Sequence, residues 1–356
     1  MGNESQLSFS VRALFALGML GLTLALMNFA ATYLNAILLA WIIVLVASPV
    51  LYSLRGRGAP SWLAFLVTLF VILIALVGFG LILVLGFNQL VESIPKYIDQ
   101  ADELVNYIKD FFVSIGIDEG DVGAILNAIS PADLVEGAIA FLGSLLSSFS
   151  NVILVILLVV FLLIEAFSAP QKLAAEIRMG NEYLQRFFHV SDTLRKYFQL
   201  TTAVALFTGV LDTIFFLIMG VDFAILWGII AFLCSYIPTL GFWLAAIPPT
   251  IMALLEFGPL QALIVFLGVV LINGFAENVI KPKYMGEGID LSPFMIIFSV
   301  IFWAALLGPM GAILGVPVSL LFKELILEAD DQNRWMAKMM GSAKPKTPEG
   351  ENLPEV

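Results

Sequence analysis

Asp212 is the residue whose chemistry conflicts most sharply with its setting. It stands in the otherwise apolar run 198–219, where an ionisable group costs at least about 2.5 to 3.5 kcal/mol to insert into hydrocarbon. Thr201, Ala205, Thr208 and Asp212 follow one another at i, i+4, i+7 and i+11. A helix would therefore gather them into a polar, small-residue stripe with Gly209 beside it, and such a stripe faces protein rather than lipid. In that place Asp212 either binds a cation or carries a proton, or it makes an interhelical hydrogen bond that fixes packing.

Glu277 is the second candidate, with Asn273 and Lys281 four residues to either side and Asn278 adjacent. Glu before Lys at this spacing is the favourable order for a simple ion pair near a helix C-terminus. Glu165 and Glu256 fall near the ends of apolar runs and can reach an interface, and Asp222 and Asp290 read as loop or helix-start residues. A less residue-specific signal comes from breaks in apolar helices, which free backbone amides and carbonyls that must line a cavity or be buried in protein. The two clearest breaks are Tyr236-Ile237-Pro238-Thr239-Leu240-Gly241 and Gly308-Pro309-Met310-Gly311, the latter continuing through Gly315-Val316-Pro317.

Other chemistry has no foothold. Cys234 is the only cysteine and His189 the only histidine, so neither a disulfide framework nor a Cys/His metal or catalytic centre can form within one chain. The phosphate-loop pattern GxxxxGK[ST] and the HExxH and GxSxG patterns are missing. Neither an enzyme nor a bound cofactor or metal is expected. The net charge of −11 argues against a nucleic-acid partner.

The elements that must hold these residues are membrane helices. Of 356 residues, 60% are hydrophobic and 13% charged, against roughly 25% charged in a soluble domain, and the mean hydropathy is +1.00. The apolar residues arrive in blocks near the ~20 residues that a spanning helix requires. Blocks at 11–29, 33–54, 62–87, 151–167 and 198–219 read as spans. Beyond residue 223 eight prolines punctuate shorter helices at 223–237, 242–255 and 260–280, and the last stretch, 293–326, divides at Gly308-Pro309 into a re-entrant hairpin or two thin spans. The expected fold is all-α and polytopic, with about eight membrane segments including broken or re-entrant helices.

Four regions follow: an N-terminal group of three helices (1–90), an extracytoplasmic helical cap (91–148), a core with broken helices (149–327) and a cytoplasmic, partly disordered tail (328–356). In the cap, Ile94, Ile98, Ala101, Val105, Ile108, Phe112 and Ile115 keep helical spacing, with Asp99, Asp102, Glu103 and Asp110 between them. Arg55, Arg57, Lys172, Arg178, Arg186, Arg195, Lys196, Lys281 and Lys283 all fall on one side when spans are counted in order. Only Lys96 and Lys109 fall opposite. The positive-inside rule then puts both termini in the cytoplasm.

The second half carries a resemblance. Gly209 with Met219-Gly220-Val221, Trp227-Gly228, Tyr236-Ile237-Pro238 with Gly241, Ile247-Pro248, Glu277-Asn278, Pro282, Met285-Gly286, Leu291-Ser292-Pro293, Leu307-Gly308 with Gly311, and Val316-Pro317 form one ordered series. Ser48-Pro49 and Ile94-Pro95 extend it into the first half. The chain resembles the AI-2E transporter family, bacterial permease-like proteins named for export of autoinducer-2. Its members usually place a Gly between the Glu and Asn that are adjacent here.

The resemblance implies a transporter of a bacterial inner membrane. One function it implies is export of a small polar solute such as a quorum-sensing signal; another is exchange of sodium or lithium for protons. A third possibility is an oligomeric membrane scaffold without transport, recruiting a partner through its acidic cap. The expected partners are membrane lipid, a small polar solute or a monovalent cation and proton, and further copies of the chain. For the solute or ion path the candidates are Asp212, Thr208, Glu277, Asn273, Asn278, Tyr236, Pro238, Gly241, Gly308, Gly311 and Pro317.

Overall fold

A computed structural model describes residues 9–114, 151–172, 182–285, 291–328 and 334–341, with isolated positions between 137 and 147. Most of the expected cap beyond residue 114 and most of the tail lie outside the described residues. Among the described residues the structure is helical throughout, without a strand. Six helices are long and apolar enough to cross a membrane, and shorter apolar helices stand beside them.

Helices α1 (Phe9–Phe29) and α2 (Ala31–Gly56) are joined by a single residue. Pro49 lies inside α2 without ending it. A proline brings no N–H to the carbonyl four residues back, here Leu45. That carbonyl instead accepts from Ser48 Oγ at 2.8 Å and from Gln199 Nε2 at 3.2 Å. The Ser48-Pro49 pair thus creates an acceptor and ties α2 to a distant helix that fills it.

Helix α3 runs without interruption over Ser61–Ser114, 54 residues with Pro95 inside. The sequence sets a span at 62–87, long enough to protrude, and the start of a helical cap at 91. One continuous rod crosses that junction, because a proline costs a helix one hydrogen bond and need not stop it. Helix α4 spans Val152–Lys172 and α5 spans Glu182–Met219. Ala36, Ala40 and Val44 of α2, Ala64 and Ile72 of α3, and Val155, Val159 and Leu163 of α4 form one buried cluster.

Two helix hairpins follow. The first pairs α6 (Ala224–Cys234) with α7 (Leu240–Phe257) across the Tyr236–Thr239 turn. Helix α8 (Pro259–Phe275) continues through a π-helical turn, Ala276–Ile280, into α9 (Lys281–Met285). The second hairpin pairs α10 (Pro293–Leu307) with α11 (Pro309–Phe322), which runs into another π-helical turn at Lys323–Leu327. Helix α12 covers Arg334–Met340. With 11 residues α6 is about 16 Å long, and α10 with 15 is about 22 Å. Neither arm matches a hydrocarbon core of about 30 Å.

The prolines are distributed by position rather than by strength. Pro259, Pro293 and Pro309 open helices, where the missing N–H would have had no partner anyway. Gly308 supplies the break itself, with φ 71, a backbone region that other residues avoid. Pro317, expected to belong to that break, lies inside an unbroken α11. One correction follows: the second break is confined to Gly308-Pro309.

Each hairpin is closed by a glycine on its second arm. A Cβ at Gly241 would overlap the carbonyl of Cys234, and one at Gly311 would overlap the carbonyl of Trp303. Gly228 of α6 and Gly209 of α5 meet in the same way, each against the other's carbonyl, with Thr213 also pressed against Gly228. Backbones approach this closely only where side chains are absent.

Candidate functional site

The polar stripe of α5 is buried as its spacing requires: Thr201 and Thr208 are 1% exposed, Ala205 and Asp212 0%. Asp212 Oδ2 accepts from Asn273 Nδ2 on α8 at 3.3 Å, and the same amide group donates to the Val269 carbonyl at 3.0 Å. Asp212 Oδ1 is buried with no hydrogen-bond partner. The interhelical hydrogen bond therefore exists, but it serves only one carboxyl oxygen. The other has none among the described residues, and an ionised carboxylate left so is costly in such surroundings.

Asn273 was expected to share a face with Glu277. It turns instead to Asp212, 61 positions away in sequence. Glu277 and Asn278 sit in the π-helical turn and are exposed. Glu277 pairs with Lys281 at 2.8 Å, and Asn278 donates to the Gly274 carbonyl at 3.0 Å. The expected i,i+4 ion pair is thus present, with no link from Glu277 to Asp212. Glu165 similarly pairs with Lys172 at 3.0 Å.

The hairpin turns form a second locus. Ile237 of the first turn shares a buried cluster with Met310, Ala312 and Ile313 of the second hairpin. Between the two lies a cavity of about 370 Å³ bordered by Ile237, Leu240, Val300, Gly308 and Pro309. A neighbouring cavity of about 380 Å³ opens between α2, α3 and the first turn. Its wall is apolar except for Thr202 and Tyr236. Their hydroxyl oxygens stand 2.7 Å apart, and Thr202 donates to the Phe198 carbonyl at 2.6 Å, so the Tyr236 hydroxyl donates to Thr202. Pro317 offers no N–H to the carbonyl of Ile313, another residue of this wall. Asp212 borders neither cavity.

The tip of the second hairpin is held from outside. Asn28 and Asn35 donate their side-chain amides to the carbonyls of Leu306 and Leu307, each at 2.9 Å. These carbonyls end α10 and have no helical partner. Pro238 completes the first turn, its carbonyl accepting from the Leu240 amide at 2.7 Å.

A third cluster was not expected. Lys96 Nζ lies 3.1 Å from both Asp222 Oδ2 and Glu256 Oε1. The Tyr97 hydroxyl lies 2.9 Å and 2.8 Å from the same two oxygens. Asp222 occupies the turn between α5 and α6, Glu256 the end of α7. The indole N–H of Trp227 fixes that turn by donating to the Asp222 carbonyl at 3.0 Å. The hydrogen bond shared with Glu256, followed by those with Tyr97 and Lys96, holds the Asp222 carboxyl below the usual carboxylate range. A hint lay in the sequence: Lys96 is one of the two basic residues that the count of spans sets apart from the others.

A sequence profile described as AI-2E family transporter matches residues 15–330. The chain is similar to "AI-2 transport protein TqsA" of Escherichia coli, 30% identical over 313 residues that cover 88% of this chain and 91% of the relative. It also resembles "Putative transport protein YhhT" of E. coli, 26% identical over 334 residues, 94% of this chain and 95% of that one. A "Putative transport protein" of Haemophilus influenzae is 29% identical over 349 residues, covering 94% and 97%.

Proposed function

The chain belongs to the AI-2E family of transporters, and from that premise we propose that it carries a small polar solute through the meeting point of its two hairpins. The observation that supports this most is the pair of hydroxyls, Thr202 and Tyr236, on the wall of a cavity beside the first broken helix. Two hydroxyls and the backbone groups released at the breaks supply directional contacts for a polar molecule, while the apolar remainder keeps bulk water and ions from leaking. Export of a quorum-sensing signal is the specific form we favour, since the name of the relative TqsA assigns it AI-2. In this reading the chain sits in a bacterial inner membrane with both termini cytoplasmic, and copies of it assemble.

The test is flux from liposomes carrying the purified protein, with a panel of small polar metabolites, autoinducer-2 among them. Release of at least one solute above protein-free liposomes is expected, and Tyr236→Phe should slow it roughly fivefold, the worth of about one hydrogen bond. Release no faster than from empty liposomes across the panel would overturn the proposal.

One observation favours a second reading, exchange of a monovalent cation for a proton. Asp212 presents a buried oxygen without a partner, which suits alternate occupation by the two. Sodium or lithium gradients should then drive proton movement that Asp212→Asn abolishes; undiminished exchange in that variant removes Asp212 from the mechanism.

A further inference from the structure

The four-residue cluster at the far end of α5 from Arg186 contains one hydrogen-bonding proton too few. The Tyr97 hydroxyl touches Asp222 Oδ2 and Glu256 Oε1 at 2.9 Å and 2.8 Å, yet a phenol has one proton to give. With both carboxyls ionised, one of these contacts would set lone pair against lone pair. Lys96 relieves the charge only in part, since one ammonium faces two carboxylates at 3.1 Å each.

An independent observation points the same way. Glu256 Oε2 is buried without a hydrogen-bond partner among the described residues, and the Glu256 side chain is only 8% exposed. An ionised carboxylate leaving one oxygen unsolvated is costly, whereas a protonated carboxyl is neutral and gains a donor. Asp222, whose side chain is 47% exposed, is the member better placed to remain charged.

We propose that Asp222 and Glu256 bind one proton between them, carried on Glu256, and that this proton fastens the base of the first hairpin to α3. With it bound, the four groups sum to zero charge and both contacts of Tyr97 are satisfied. Without it, two carboxylates share one phenolic proton and one ammonium, and the contact between α3 and the hairpin weakens. The attachment is specific to the base of the hairpin, because Asp222 precedes its first arm and Glu256 nearly ends its second.

The surroundings leave the titration to these groups. Helix α3 also carries Glu92, Asp99 and Glu103, all exposed to solvent, and Asp102, Lys109 and Asp110 in its stretch beyond Ala101. Helices α6 and α8, which pack against α7, have no charged residue along Ala224–Cys234 or Pro259–Phe275, and Gln261 of α8 donates to the Met219 carbonyl at 3.2 Å. Cys234 lies at the opposite end of α6.

The experiment is infrared spectroscopy of the full chain in lipid nanodiscs, following the carbonyl band of protonated carboxyls as pH rises. An Asp212→Asn background removes the acid buried in α5, so the outcome does not depend on how Asp212 functions. A protonated-carboxyl band should persist at pH 7, and adding Glu256→Gln should abolish it. Adding Asp222→Asn instead should move the midpoint of its loss to lower pH, because the charge that holds the proton is gone. Hydrogen exchange of the turn at 219–224, corrected for intrinsic rate, should rise roughly fivefold as the band disappears. Absence of the band at neutral pH, its survival in Glu256→Gln, a midpoint unmoved by Asp222→Asn, or exchange unchanged across the titration would each overturn the proposal.

Discussion

Asn273 gives its side-chain amide to Asp212 Oδ2 and to the Val269 carbonyl at once, so a residue of α8 holds the buried carboxyl of α5 in a single orientation. The pairing has two structural consequences. It cements two helices, and it directs the unpartnered Oδ1 away from the amide. Replacing Asn273 with Ala should therefore cost more than a surface change. We expect about 1 to 3 kcal/mol of stability to be lost, the range for a buried polar group deprived of its partner. Thermal unfolding in detergent would show it, and Asp212→Asn in the same background should restore much of the loss by removing the carboxyl that lost its partner.

The acceptor created by Pro49 gives a second prediction. Ser48→Ala and Gln199→Ala each remove one donor from the Leu45 carbonyl, and either alone leaves the other in place. Each should cost less than about 1 kcal/mol, while the double variant should cost more than the sum, because only then is the carbonyl orphaned. Strict additivity in a double-mutant cycle would show that the two bonds are independent.

Close packing at Gly228 gives the third. A Cβ there collides with the side chain of Thr213 and the carbonyl of Gly209, both on the neighbouring helix. Gly228→Ala should lower the yield of folded protein and cost about 1 to 3 kcal/mol, the usual penalty of overpacking. Adding Thr213→Ser should recover little, since serine keeps the colliding Oγ and the Gly209 carbonyl also stands in the way.

Asp222 carries the fourth. Its carboxyl is held below the usual carboxylate range, with an ordinary value of 3.8. A depressed acid contributes stability above its unfolded pKa and loses it as pH falls through its folded one. Asp222→Asn should thus melt at a lower temperature than the parent at pH 7, and the gap should close below about pH 4. A gap that is constant from pH 7 to pH 3 would show that the ionised carboxyl contributes nothing.

Much of this architecture was legible in local patterns. The turn at Tyr236–Thr239, the break at Gly308, the buried face of α5 and the Glu277–Lys281 pair all follow from residues within a few positions of one another. What escaped is long in range or depends on tertiary context. Spacing alone assigned Asn273 to Glu277, four residues away, because nothing local reveals that α8 packs its other neighbour, Asp212, against it. Glu256 and Asp222 read separately as an interfacial residue and a loop residue. Only the fold brings them to Lys96 and Tyr97, more than 120 positions earlier. Pro317 misled in the opposite direction, since a helix packed among its neighbours absorbs one missing hydrogen bond and continues.

The length of α3 has a mechanical consequence. Its 54 residues extend to about 80 Å, far more than the ~30 Å of hydrocarbon. Tyr97 lies about two thirds of the way along, so a rod pivoting at the grip of the hairpin would have its fulcrum off centre. A change in tilt of about 5° about that point would swing the Ser61 end by roughly 5 Å and the Ser114 end by only about half as much. Ala64 and Ile72 pack that arm against α2 and α4, so a pivot at Tyr97 would carry those helices with it: a spin label near Ser61 should then move further than one near Ser114, and equal movement would show that the rod does not pivot there.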